Sequence, residues 1–138
     1  MTPDVELVAF LMCDSFSRQP NGKAIITGVF DRIWASQVPA VHPSMTAYFR
    51  LRATASAHLE LRLAFVTPNG LRQESPPLPM QVRPDGVVEG TIELSRFLME
   101  GFGNYDFEII VQGKRLASYA ITVAQLSPAK EKGEERVH

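Results

Sequence analysis

His58-Leu59-Glu60-Leu61-Arg62-Leu63-Ala64-Phe65 places leucine or phenylalanine at every second position. Side chains return to one face every 3.6 residues in a helix and every two in a strand. The spacing therefore predicts an extended segment with one buried face and one wet face. The period recurs on both sides of this stretch. Ala47, Phe49 and Leu51 alternate with Thr46, Tyr48, Arg50 and Arg52, and Tyr105, Phe107, Ile109 and Val111 alternate with Asp106, Glu108 and Gln112. Turn signals separate the runs: Pro20-Asn21-Gly22, Pro68-Asn69-Gly70, Asp85-Gly86 and Gly113-Lys114. Short alternating runs punctuated this often predict an all-β chain, a single-domain antiparallel sandwich of two sheets, immunoglobulin-like or C2-like, with about seven or eight strands.

Strands are expected near 4–13, 23–34, 45–53, 58–66, 79–83, 87–94, 104–112 and 115–124. The first two are apolar on both faces, which predicts central or heavily covered strands. Ser95 to Glu100 is the one helical candidate, with Ser95 to cap it and Gly101 to stop it. Residues 74–86 hold four prolines and read as a loop plus an edge strand. The core set is Phe10, Phe30, Phe49, Leu51, Leu61, Leu63, Phe65, Tyr105, Phe107, Ile109, Tyr119 and Ile121.

The last hairpin carries a register conflict. A two-residue Gly113-Lys114 loop would set Phe107 against Ala120 and mix core with solvent positions. Because a one-residue slip flips every side chain, an odd-length loop or a bulge is predicted, with Phe107 facing Tyr119 or Ile121.

The 138 residues suffice for one domain, expected over 1–126, and a charged tail over 127–138 lacks the apolar content to order itself. Fourteen basic and fifteen acidic residues leave a net charge of −1, which argues against dedicated nucleic-acid binding. One cysteine excludes an internal disulfide and any all-cysteine zinc site. The longest apolar run, Val5 to Cys13, is about half of the ~20 residues a spanning helix needs. The first charges are Asp4 and Glu6, where an export signal carries positive ones. Phe10-Leu11-Met12-Cys13 lacks the small residue a lipoprotein box places before its cysteine. A cytoplasmic location is the expectation.

Candidate chemistry is sparse. Cys13 would need a histidine to act as a nucleophile. His42, His58 and His138 are not spaced as a metal pair, and His42 is expected in a turn. Asp106 and Glu108 share a wet strand face, the ordinary way to keep a sheet soluble. Gly101-Phe102-Gly103 precedes a strand and not a helix, so it lacks phosphate-loop geometry. Pro76-Pro77-Leu78-Pro79 fits a minimal Pro-x-x-Pro form within a loop. No catalytic residue, metal site or cofactor is assigned.

The binding candidates are Tyr48, Arg50, Arg52 and Arg62. If 45–53 pairs with 58–66, they form one basic stripe, with Tyr48 beside Arg62 and Arg50 beside Glu60. Arginine next to tyrosine on an open sheet can stack single-stranded nucleic acid. Residues 45–73 sum to +3 and residues 85–108 to −5, a polarity suited to a protein partner.

Asn21-Gly22-Lys23, Ile26-Thr27-Gly28-Val29-Phe30-Asp31-Arg32-Ile33 and Pro39-Ala40-Val41-His42-Pro43, following Cys13-Asp14, resemble a family of small uncharacterised bacterial proteins, a domain of unknown function. Gly103-Asn104-Tyr105-Asp106-Phe107 is similar to the closing hairpin of immunoglobulin-like bacterial sandwiches. The resemblance implies a β-sandwich and a bacterial origin, and it brings no activity. The leading expectation is a non-catalytic binding or accessory module that recognises another protein. The alternatives are an enzyme with a cleft near Cys13 and single-stranded nucleic-acid binding on the arginine face. An edge strand could also pair two copies into a homodimer.

Overall fold

The computed structural model describes residues 4–127, and the charged tail expected over 127–138 lies, but for Ser127, outside the described residues. Ten strands run in chain order: β1 (Val5–Arg18), β2 (Ala24–Val29), β3 (Arg32–Ala35), β4 (Ala40–Ala53), β5 (His58–Val66), β6 (Arg72–Glu74), β7 (Leu78–Gln81), β8 (Val87–Met99), β9 (Gly103–Val111) and β10 (Lys114–Gln125). They form a four-stranded sheet ordered β2-β1-β4-β8 and a second sheet ordered β3-β10-β9-β5-β6, with β7 also on β5. The chain is an all-β, two-sheet sandwich. It has ten strands because the expected 23–34 strand divides at Phe30-Asp31 into β2 and β3, and because the short β6 forms ahead of the proline-rich segment, while β7 answers to the strand expected at 79–83.

Two features mark the immunoglobulin-like layout. β3 leaves the first sheet and pairs in parallel with β10, Ile33 opposite Val123. Tyr105, near the start of β9, donates its hydroxyl to the Gly101 carbonyl at 2.7 Å and accepts from the Gly101 N–H at 3.2 Å. That tether, from a buried tyrosine back to the chain crossing between sheets, is the tyrosine corner of this architecture.

The alternation seen in the sequence fills the interior. Phe49, Leu51, Leu61, Leu63, Tyr105, Phe107, Ile109 and Ile121 are buried. Phe10, Phe30, Phe65 and Tyr119 are partly buried and pack against the core. Met12, Met45, Val82, Val88, Phe97 and Met99 complete it.

The expected helix at Ser95–Glu100 is instead the end of β8. Phe97 and Met99 are buried partners of His42 and Ala40, so tertiary pairing overrides the local capping signal. His42 correspondingly lies in a strand and not in a turn. Pro43, lacking an N–H, sits between the paired residues His42 and Ser44, opposite Arg96 at φ 57°. β2 is an edge strand, with Val29 55% exposed, and is not the covered strand its composition suggested.

The closing hairpin resolves its register conflict with a bulge. Gln112 and Gly113, both at positive φ, make a two-residue turn between Val111 and Lys114. A break between Arg115 and Ala117 then leaves Leu116 as an extra residue and brings Phe107 opposite Tyr119. The burial pattern therefore sets the register.

Candidate functional site

The four candidate residues lie on two different sheets. β4 pairs with β1 and β8, and β5 pairs with β9, β6 and β7, so the expected 45–53/58–66 ladder does not form. Both segments alternate correctly, but their apolar faces meet across the core instead of side by side. Tyr48, Arg50 and Arg52 occupy the outer face of the first sheet. Arg62 occupies the outer face of the second, 3.6 Å from Glu60 and 3.8 Å from Glu74.

Tyr48 is not a surface residue. It is 5% exposed, and its ring is stacked on Phe16 at 5.5 Å and 23°. The β1–β4 register places Leu11 opposite Tyr48, five residues from Phe16, or roughly 16 Å along an extended strand. Arg18 likewise binds Glu89, whose cross-strand neighbour Arg50 lies opposite Ala9. Both contacts require the far half of the β1–β2 hairpin to fold back over the outer face of its own sheet. The turning point is Asp14 and Gly28. Gly28 has φ 71°, and a Cβ there would lie 2.2 Å from Asp14 Oδ2, so glycine is needed twice over.

Beneath this flap Glu89 is nearly sealed, with 4% of its side chain exposed. It accepts hydrogen bonds from Arg18 and Tyr48, and from Arg50 at 3.2 Å. Burial pushes its carboxyl upward, but the bonds from Tyr48 and Arg18 and the two guanidinium charges outweigh it and hold the group below the usual range. Burial and the neighbouring Glu89 raise the Tyr48 phenol. Arg52, opposite Glu6, is the exposed member of the set.

Cys13 lies under the same flap, fully buried opposite Thr46. Its thiol donates to the Thr46 carbonyl at 3.6 Å and the Ser15 carbonyl at 3.5 Å. Burial and Asp14 push it up, away from the thiolate that nucleophilic chemistry requires. The thiol is thus sealed from solvent in this structure.

On the second sheet Glu108, expected on a solvated face, is 7% exposed. It accepts from Arg72 at 2.7 Å and lies 3.6 Å from Arg115. Arg72 also binds Glu74 at 3.1 Å, so the arginines of this face are matched by carboxylates.

Composition alone does not show the apolar concavity beside β8. A groove of about 770 Å³ runs along the side of the sandwich between β8 and the β5–β6 turn. Phe65, Leu71, Leu94, Leu98 and Phe102 line it, with Arg96 and Glu100 at its rim. Leu71 and Leu98 are 57% and 48% exposed. β8 ends its sheet, so among the described residues no strand pairs with its far edge. The signal was present as Leu94 and Leu98, but reading 95–100 as a helix concealed it.

A sandwich with these features defines a class, the immunoglobulin-like β domain. Within that class the chain belongs to DUF6941, a family of unknown function, which matches residues 8–124. No curated protein matches it. Among solved structures it is similar to the alkylpurine DNA glycosylase AlkC of Pseudomonas fluorescens bound to DNA containing an abasic site analog, with TM-score 0.60 and 15% identity. The match covers 89% of this chain and 31% of that one. It is also similar to a β-glucosidase from Listeria innocua in complex with isofagomine, with TM-score 0.52 and 7% identity over 88% of this chain and 16% of the other. An immunoglobulin-like protein from Pseudomonas aeruginosa matches at TM-score 0.47 and 12% identity, over 87% and 96% of the two chains. The chain thus spans under a third of the glycosylase and under a fifth of the glucosidase. Among the described residues, no helix is long and apolar enough to cross a membrane, and no cluster of metal-binding side chains occurs.

Proposed function

We propose that this chain is a non-catalytic binding module whose partner is an extended, apolar segment of another protein. The observation that carries the reading is the free edge of β8 beside the groove lined by Leu94 and Leu98. An added strand satisfies the unpaired backbone groups of such an edge, and alternate side chains then reach a neighbouring pocket. The rim residues Arg96 and Glu100 carry opposite charges, so the apolar lining between them carries the recognition. The same fold occurs as a minor part of two larger enzymes, which fits an accessory role. Stacking of nucleic-acid bases is the weaker reading, because Phe16 already occupies the Tyr48 ring face.

The test is photo-crosslinking in the producing cells, with a photoreactive residue placed at position 98, 71 or 25. One discrete adduct is expected from positions 98 and 71 and none from exposed Ile25 on β2. Leu98→Glu should remove the adduct formed at position 71. Adducts no stronger than at position 25 would overturn the reading.

A further inference from the structure

A second concavity, of about 350 Å³, lies on the other side of the sandwich, where the chain passes from β2 to β3. Four strands and their link contribute to it: Asp14 from β1, Gly28 from β2, Phe30 from the link, Arg32 and Trp34 from β3, and His42 from β4. Its volume is at the lower end of small-molecule sites.

Three observations distinguish it from an accidental gap. First, His42 Nε2 is buried and has no hydrogen-bond partner. Buried polar atoms are nearly always satisfied, and an unsatisfied one is costly, which sets this corner of the fold apart from ordinary packing. Second, the cavity holds charges of both signs that the fold leaves uncommitted. Asp14 and Arg32 are exposed at its mouth, and neither forms an ion pair among the described residues, unlike Glu89 and Glu108 on the outer faces. Arg32 lies over the Trp34 ring at 5.5 Å, a contact that orients the guanidinium without neutralising it. Third, the backbone is shaped to hold Asp14 there. Any residue at 28 other than glycine would collide with its carboxylate.

We propose that this cavity binds a small zwitterion of amino-acid chemistry with an apolar side chain. The ligand's carboxylate meets the Arg32 guanidinium and its ammonium meets the Asp14 carboxylate, both as charge-assisted hydrogen bonds. His42 borders the cavity through its other atoms, since Nε2 has no accessible surface. Phe30 and Ile33 supply the apolar wall. A purely anionic ligand would face Asp14, and a purely cationic one would face Arg32. A ligand carrying both charges meets both side chains. This site does not share lining residues with the β8 groove, so it stands or falls separately.

The test uses the full chain, thermal shift and titration calorimetry, with the twenty free amino acids as probes and their N-acetyl derivatives as controls. At least one amino acid with an apolar side chain is expected to raise the melting temperature and to bind with measurable heat. Its N-acetyl form should bind roughly tenfold or more weakly. Arg32→Gln and Asp14→Asn should each weaken the free amino acid to a similar extent. Leu98→Glu should leave binding unchanged. No binding by any of the twenty would overturn the proposal. Binding that survives both Arg32→Gln and Asp14→Asn would do so too. Loss in Arg32→Gln alone would also overturn it, since that pattern describes a simple anion site.

Discussion

Each outer face of the sandwich centres on a glutamate held by arginines, but the two glutamates have different surroundings. Glu89 keeps 4% of its side chain exposed, because the β1–β2 hairpin folds across its sheet and adds Arg18 and Phe16 to the cluster. Glu108 keeps 10%, shielded only by Arg72 and Arg115, which are themselves 41% and 64% exposed. Similar cross-strand chemistry therefore shields both carboxylates, and on one side only a piece of the same chain folds over the cluster as well. Residue type does not distinguish them; a backbone bend at Asp14 and Gly28 does. A strand face rich in arginine and tyrosine can look ready for an external ligand while a piece of its own chain already covers it.

Removing the bend should therefore have the largest effect. Gly28→Ala combines left-handed strain with a collision against Asp14 and should cost roughly 2–4 kcal/mol in urea unfolding. Asp14→Ala in the same chain should recover the part due to the collision. Because the flap covers Cys13, its thiol should also react faster with a disulfide reagent in Gly28→Ala. Unchanged stability and thiol reactivity would mean that the flap does not depend on this turn.

Glu89→Gln and Glu108→Gln compare the faces directly. Glu89→Gln should lose about 1–3 kcal/mol, since hydrogen bonds to a shielded charge are among the stronger ones. Glu108→Gln should lose less than about 1 kcal/mol, because the arginines over it rehydrate readily. Equal losses in thermal or urea unfolding would erase the distinction between interior and surface.

Acid should separate the same two variants. The Glu89 carboxyl is held below its ordinary value of 4.5. A group depressed on folding contributes its stability above the unfolded value and loses it as pH falls through the folded one. The stability gap between wild type and Glu89→Gln should stay constant down to about pH 5 and close below it. Tyr48 has the opposite sign. Its phenol is raised from 10.0, so its contribution is complete below that value and fades as pH rises through the folded one. A gap that persists at pH 2 would show that Glu89 acts by packing and not by charge.

The layered fold was readable because the core of a sandwich is written at period two. Phe49, Leu61, Phe107 and Ile121 follow from spacing alone, and so does the need for an odd-length loop or a bulge, of which the chain uses the bulge and sets Phe107 opposite Tyr119. Sheet assignment was not readable in the same way. Alternation in 45–53 and 58–66 fixes which side chains are buried, but two inward-facing strands can be neighbours in one sheet or face each other across the core. The arginine stripe rested on the first arrangement, and the chain uses the second. The flap over Tyr48 was hidden because a bend of about one residue pair redirects a whole hairpin. The end of β8 was misread because Ser95 and Gly101 resemble a helix cap and a helix stop, while the residues that decide, Phe97 and Met99, answer to partners more than fifty positions away.

The smallest effect belongs to the open face. Arg62 reaches Glu60 and Glu74 only at 3.6 and 3.8 Å, and all three side chains are more than a third exposed. Such pairs gain little Coulomb energy in water and lose side-chain freedom when they form. Arg62→Ala should change stability by no more than about 0.5 kcal/mol, and added salt should shrink even that. Arg18→Ala removes a partner of the shielded Glu89, so its larger loss should resist screening in the same salt titration. If Arg62→Ala proved the costlier substitution, the covered layer would be the second sheet's face and not the first's, and the hairpin flap would have to be abandoned.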